Sequence, residues 1–265
     1  VTPGADLSGR VAVVTGASAG VGRAYALALA AAGATVVAVA RTLGEPDAEA
    51  PARHTLSEVV RAAAPLAGQV HARVCDVEVE ADIAATVDAT VGAHGRVDVL
   101  VNNAGIMTPF APFDVSCDDW DRVMRVNVRA PYLFMRQVAP HMVRARSGSI
   151  VNVTARAAAF LPKGKWPQTT VVYGPSKAAL NRLSYFMAEE LRPFGIAVNA
   201  LSPGVVTTDT ALALNPHLGA SRSAKPPTPE ALGPALVCLA AQTAETMTGQ
   251  VLHTDDFPHG WPLSC

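Results

Sequence analysis

The chain has 265 residues, a formal net charge of −1 and half of its residues drawn from the apolar set. That is length enough for a well-buried core, and residues 1–265 are read as a single domain. The near-neutral charge offers no electrostatic case for a nucleic acid or an anionic membrane as partner, and no apolar run approaches the length of a membrane span.

In chain order, residues 1–10 lack a basic stretch followed by an apolar core, so they are not read as a signal peptide. Seven strands are predicted: Arg10–Thr15, Ala34–Arg41, Gln69–Val74, Val97–Asn102, Ser149–Thr154, Ile196–Leu201 and Gln250–His253. Several are near-continuous Val/Ile/Leu/Ala runs, as expected for parallel strands buried on both faces. Helical patterns lie between them, at Val21–Ala32, Thr55–Ala64, Val79–Ala93, Cys117–Arg144, Tyr173–Phe194 and Pro229–Ala241. Ser116 or Asp118 is placed to cap the fourth helix, Arg144 and Arg146 complement its C-terminal dipole, and Pro193 with Gly195 ends the fifth. Alternating strand and helix predicts an α/β architecture: a doubly wound, seven-stranded parallel sheet with helices on both faces.

Three segments break the rhythm: Leu43–Arg53, Phe160–Thr170 and Thr207–Pro229. The last, around 207–229, is read as a substrate loop, since long irregular segments after strand ends border the ligand crevice of such sheets. Cys75, Cys117, Cys238 and Cys265 show neither paired nor metal-site spacing and are read as reduced thiols in a cytoplasmic protein. The histidines do not cluster; His253 and His259 are read as surface or interface residues, and no metal is expected.

The chemistry begins at Thr15-Gly16-Ala17-Ser18-Ala19-Gly20-Val21-Gly22, between the first strand and its helix. Gly16 tolerates a tight turn, Gly20 and Gly22 permit close approach, and the helix start offers unpaired N–H groups to phosphates. In isolation such a loop is also an ordinary turn. Farther on, Tyr173-Gly174-Pro175-Ser176-Lys177 sets a phenol and an ammonium one helical turn apart. The ammonium is expected to lower the phenol pKa, so that Tyr173 exchanges a proton with a substrate oxygen. Taken alone, the pair is equally an ordinary solvated i,i+4 couple.

Together these motifs give a specific resemblance. The chain resembles a short-chain dehydrogenase/reductase of the compact type built on one Rossmann domain. The matching residues are Thr15–Gly22, Asp76-Val77, Asn102-Asn103-Ala104-Gly105, Asn127, Tyr173 with Lys177, Pro203-Gly204 followed by Thr208, and Thr248-Gly249-Gln250, all in family order. The resemblance implies that Gly16, Ser18, Ala19, Gly20 and Val21 hold the pyrophosphate. It implies that Asp76 and Val77 meet adenine, and that Asn103, Ala104 and Gly105 line the adenosine ribose. Asn102 braces adjacent strands. Pro203, Gly204, Val206 and Thr208 wrap the nicotinamide carboxamide. Tyr173 is the general acid/base, Lys177 binds the nicotinamide ribose and tunes Tyr173, and Asn127 holds a relay water or marks a helix kink.

At the end of the second strand, NAD-preferring relatives carry an acid. Here Ala40 and Arg41 stand there. With no carboxylate to repel a 2′-phosphate and a planar cation to pair with it, NADP(H) is expected over NAD(H). Ala19 stands where many NADP-preferring members carry a second basic residue.

One position departs from the pattern. Asn152-Val153-Thr154-Ala155 places alanine where the family's substrate-orienting serine belongs. Four readings stay open: an engineered Ser→Ala change, a hydroxyl supplied by Thr154, a reaction that needs no serine, or a chain that binds cofactor without turnover. Retention of Asn127, Tyr173 and Lys177 argues against the last. Arg156 reaches either an anionic substrate or solvent. The long spacing to Tyr173 holds Lys163, Lys165 and Trp166 as a candidate wall of the substrate entrance.

The expected function is an NADP(H)-dependent carbonyl reductase or alcohol dehydrogenase. Phe110, Pro112, Phe160 and residues 211–214 point to a moderately hydrophobic small-molecule substrate. The alternatives are a dinucleotide-binding sensor or scaffold, and an imine or enone reductase. A homotetramer or homodimer is expected through Cys117–Arg144 and Tyr173–Phe194, on Met124, Phe134, Met135, Leu183, Phe186 and Met187.

Overall fold

All seven predicted strands form, and all pair in parallel. The computed structural model describes residues 5–44, 54–107, 113–159, 171–206, 208 and 227–262. The strands are β1 (Val11–Thr15), β2 (Thr35–Ala40), β3 (Gln69–Val74), β4 (Val99–Asn102), β5 (Gly148–Val153), β6 (Ile196–Ser202) and β7 (Val251–His253). They build one sheet in the order β3-β2-β1-β4-β5-β6-β7. The side on which successive strands are added reverses between the parallel neighbours β1 and β4, which pair Ala12 with Val99 and Val14 with Val101. A crevice beyond the strand ends at such a switch is where open α/β sheets bind ligands.

The helices are α1 (Gly20–Ala31), α2 (Leu56–Ala63), α3 (Glu80–His94), α4 (Cys117–Met124), α5 (Ala130–Ala145), α6 (Tyr173–Leu191) and α7 (Gly233–Ala240). Strand alternation sorts the core into two faces. Ala12, Val14, Val36 and Val101 pack with Tyr25 and Leu29 of α1 and Leu236 of α7. Val13, Val37, Leu100 and Ile150 pack with Ile83 of α3, Phe134 and Val138 of α5 and Ala188 of α6. β1, β5 and β6 are buried along their whole length, which explains their mostly apolar sequence; the buried Asn152 and Asn199 are hydrogen-bonded.

Local signals set the helix ends. Thr55 and Glu58 form a reciprocal capping box on α2. Of the two candidate caps for α4, Ser116 takes the role, its hydroxyl accepting from Asp119 N–H at 3.1 Å. Gly195, at φ +77°, closes the turn after α6. Arg146 adopts a left-handed φ of +50° after α5 and donates to Pro193 O at 3.1 Å.

Three expectations are corrected. The predicted helix Cys117–Arg144 contains a π-helical stretch, Arg125–Arg129, between α4 and α5. Phe134 and Met135 are core residues, 1% and 0% exposed, so they are unavailable to a protomer interface. Cys75 and Cys117 are free, but Cys238 is disulfide-bonded, so not every cysteine is a reduced thiol. Phe110, Pro112, Phe160, Lys163, Lys165, Trp166 and 211–214 lie outside the described residues, as does most of the predicted substrate loop. Among the described residues no helix is long and apolar enough to cross a membrane, and no His/Cys/Asp/Glu group could hold a metal ion.

Candidate active site

The glycine loop is shaped by what it touches. A Cβ at Gly16, where φ is +65°, would lie 2.9 Å from Ala104 Cα. One at Gly22 would run into the Gly16 carbonyl oxygen and the Asn103 amide. That amide fastens the loop to the β4 exit: Asn103 Nδ2 donates to Thr15 O at 2.9 Å and to Gly16 O at 3.2 Å. In return Thr15 Oγ1 accepts from the backbone N–H groups of Asn103 and Ala104, each at 3.0 Å. In α1, Arg23 N–H closes a bond on Ala19 O at 3.1 Å. The N–H groups of the preceding first turn have no helical acceptor and face the loop mouth.

A cleft of about 200 Å³ opens from this loop toward β2 and β3. Gly16, Ser18, Ala104 and Gly105 form its floor; Ala40, Arg41 and Thr42 come from the β2 end, and Asp76, Val77 and Glu78 from the β3 exit. Asp76 is held by its backbone: its Oδ1 accepts from Glu78 N–H at 3.0 Å and its N–H donates to Asp82 Oδ2 at 3.0 Å. Cys75 also borders the cleft, but burial pushes its thiol pKa up, so no reactive thiolate is present there.

The cleft continues past Gly16, Ser18, Ala19, Gly20, Val21, Arg41, Asn103, Ala104 and Gly105 to Val153, Tyr173, Lys177, Pro203 and Thr208. Lys177 is 3% exposed, and its Nζ donates to Val153 O at 2.8 Å. It lies 5.8 Å from the Tyr173 ring centroid. Burial pushes Lys177 down to about 8 and Tyr173 up to about 12. The expected depression of the phenol by its neighbour is therefore not what this geometry gives. The ammonium is engaged with a carbonyl, and desolvation of both groups outweighs their mutual attraction.

Asn127 sits in the π-helical stretch, fully buried. Its Oδ1 accepts from Ile106 N–H at 2.9 Å, and its Nδ2 donates to Ile106 O at 2.9 Å and Ser176 Oγ at 3.0 Å. Ser176, which the sequence reading passed over, donates in turn to Tyr173 O at 2.8 Å. Asn127 Oδ1 and Lys177 Nζ each lie 3.3 Å from where a Gly105 Cβ would be, so the missing side chain opens space beside both. Asn102 braces strands as expected, donating to Asn152 Oδ1 across β4 and β5 at 2.8 Å.

At the β5 exit, Thr154 is 2% exposed and its hydroxyl donates to Lys177 O at 3.4 Å. That bond turns the hydroxyl onto the α6 backbone. Ala155 is extended, and the following Arg156 donates to Asp255 Oδ2 at 2.6 Å. Asp255 also crowds Gly204, whose φ is +74° and where a Cβ would lie 2.7 Å from Asp255 Oδ1. Ala155, Asn127, Gly204 and Val206 are therefore neighbours of the cleft and do not line it. The sequence reading missed Thr42, Glu78, Ile106, Met107, Arg122 and Val126, all on the cleft wall. No motif marks these positions; only the fold brings them there.

Residues 10–219 match the family model described as short chain dehydrogenase. The chain is 34% identical over 260 residues to the 3-oxoacyl-[acyl-carrier-protein] reductase FabG of Thermotoga maritima, covering 94% of this chain and 97% of that one. It is 33% identical over 252 residues to the 7alpha-hydroxysteroid dehydrogenase of Escherichia coli, covering 93% and 92%. A solved metagenomic short-chain oxidoreductase in complex with NADP superposes with a TM-score of 0.74 at 34% identity, covering 94% of this chain and 98% of that one.

Proposed function

Because the chain belongs to the short-chain dehydrogenase/reductase family, and so is an oxidoreductase, we propose that it is an NADP(H)-dependent carbonyl reductase or alcohol dehydrogenase. The observation that carries this reading is one continuous cleft joining the glycine loop and Arg41 to Tyr173 and Lys177. The residues fit a dinucleotide. Side chains are excluded at Gly16 and Gly22, the first turn of α1 offers N–H groups, and Arg41 carries a cation at the β2 end. In this reading the nicotinamide supplies the hydride acceptor or donor at the substrate carbon.

Tyr173 gives a proton to the carbonyl oxygen during reduction, or takes it from the alcohol during oxidation. A phenol at about 12 is protonated at neutral pH, which suits the acid role. Lys177 binds the ribose hydroxyls, and Asn127 and Ser176 hold the Tyr173 end of α6 in place. Thr154 lines the cleft, but its hydroxyl bonds Lys177 O at 3.4 Å, which disfavours it as a replacement for the missing serine. The substrate oxygen then has Tyr173 as its principal donor.

The substrate is a small to medium hydrophobic ketone or alcohol. The named relatives act on quite different molecules, an acyl thioester and a steroid, so both compound types belong in the assay. NADPH consumption against a panel of 3-oxoacyl thioesters, ketosteroids and simple ketones tests the proposal. Turnover of at least one class supports it. Tight NADPH binding with no turnover of any carbonyl or imine favours the sensor reading.

The chain also forms a homodimer or homotetramer. Met124, Val128, Tyr132 and Leu183 line an open apolar groove between α4, α5 and α6, and Phe186 beside them is 53% exposed. A monomeric mass at micromolar concentration contradicts this.

A further inference from the structure

Arg122 reaches the same cleft wall as Asp76, Val77 and Glu78, although it comes from α4. It is tethered there. Arg122 Nε donates to Glu78 Oε1 at 3.1 Å, and Arg125 Nη1 donates to the other oxygen, Glu78 Oε2, at 3.3 Å. The Glu78 side chain is 19% exposed, against 49% for Arg122 and 42% for Arg125. Exposed ion pairs of this kind contribute little to folding stability. Their stronger effect is on orientation. A bond through Nε pins the inner edge of the guanidinium, while the residue lines the cleft and no hydrogen bond of its terminal nitrogens is found among the described residues.

The charges separate Arg122 from Arg41. Glu78 accepts from both Arg122 and Arg125, whereas no carboxylate partner of Arg41 is found among the described residues. An unbalanced cation suits a phosphate. A guanidinium plane tethered and oriented by a carboxylate suits a flat, uncharged ring.

We propose that Arg122 is a further cofactor-binding residue, its guanidinium face covering the adenine ring, and that Glu78 is the positioning residue that holds it. This rests on the reading of the cleft as the adenosine end of a dinucleotide site. Adenine is common to both coenzymes, so Arg122 strengthens NADPH and NADH alike, whereas Arg41 discriminates between them.

The test is fluorescence titration of the full chain with NADPH, NADH and reduced nicotinamide mononucleotide, which lacks adenine. Arg122→Ala weakens NADPH and NADH by the same factor, about three- to tenfold, and leaves the mononucleotide unchanged. Arg122→Lys does not restore affinity, because it keeps the charge and loses the plane. Glu78→Gln gives a smaller loss, again equal for the two dinucleotides. The proposal is overturned if Arg122→Ala leaves both dinucleotides unaffected, weakens NADPH alone, or weakens the mononucleotide equally, or if Arg122→Lys restores affinity. A parent chain that binds both dinucleotides while Arg122→Ala is neutral removes only the role of Arg122. A parent chain that binds neither removes the reading of the cleft as well.

Discussion

The two ends of the cleft are built differently. Around β1–β4 the surface is mostly backbone: glycines whose missing side chains are required by contact, the Thr15–Asn103 bonds, and Asp76 accepting from Glu78 N–H. Around β5, α6 and β6 it is side chains and loops: Tyr173, a buried Lys177, the Arg156–Asp255 pair, and an alanine at the strand end. Backbone shape tolerates few sequences, whereas side chains on loops are replaced one at a time. The first end fixes which kind of cofactor fits, and the second is free to change the substrate.

If the reacting chemistry resides only at the second end, Tyr173→Phe lowers turnover by roughly 10²- to 10⁴-fold and leaves NADPH affinity within about twofold. Steady-state rates with a parallel binding titration check this, and a large loss of affinity would blur the division. Restoring the missing donor sharpens it. Ala155→Ser is expected to raise carbonyl turnover about ten- to a thousandfold with little change in cofactor binding. Thr154→Val in the same assay is expected to change turnover far less, since that hydroxyl is bonded to Lys177 O.

Lys177 lies where the two ends meet, and its burial is a cost that varies with pH. Its pKa is lowered from 10.5 to about 8 by desolvation. Below about pH 8 the folded state carries the whole penalty of a buried ammonium. Between about 8 and 10.5 the unfolded chain binds more protons, so this group makes the parent gain stability as pH rises. Lys177→Met lacks the effect. The stability difference between variant and parent therefore shifts toward the parent by on the order of 3 kcal/mol across that window, read by chemical denaturation at several pH values. A pH-independent difference would mean that Lys177 is not desolvated.

The smallest expected effect is at the first end. Arg41→Asp weakens NADPH about tenfold while NADH is unchanged or tighter. Equal weakening of both would show that Arg41 does not read the 2′-phosphate.

The same division explains what could be read from the sequence. All seven strands were legible, because burial on both faces keeps β1, β5 and β6 rich in Val, Ile, Leu and Ala, their few polar residues being hydrogen-bonded inside. Gly16, Gly20 and Gly22 announced a tight loop that contact geometry requires. The π-helical stretch around Asn127 was not legible, because its residues keep helical periodicity while the hydrogen-bond spacing changes. Interface and core were confused at Phe134 and Met135, since an apolar residue on a helix does not reveal which face meets the sheet. The Tyr173–Lys177 spacing placed both residues on one cleft, yet the direction of the phenol shift depended on burial, which spacing does not encode. Arg122 and Glu78 stand 44 residues apart and meet only in the folded chain.

The most direct test of the central claim uses NADPH carrying deuterium at the transferable nicotinamide position. The parent, Ala155→Ser, and Ala155→Ser with Tyr173→Phe are incubated with the carbonyl panel, and products are analysed by mass spectrometry. We predict deuterium at the carbinol carbon of at least one alcohol, more of it from Ala155→Ser than from the parent, and nearly none from the double variant. Deuterium transfer undiminished by the loss of Tyr173, or absent from every variant while NADPH remains bound, would contradict it.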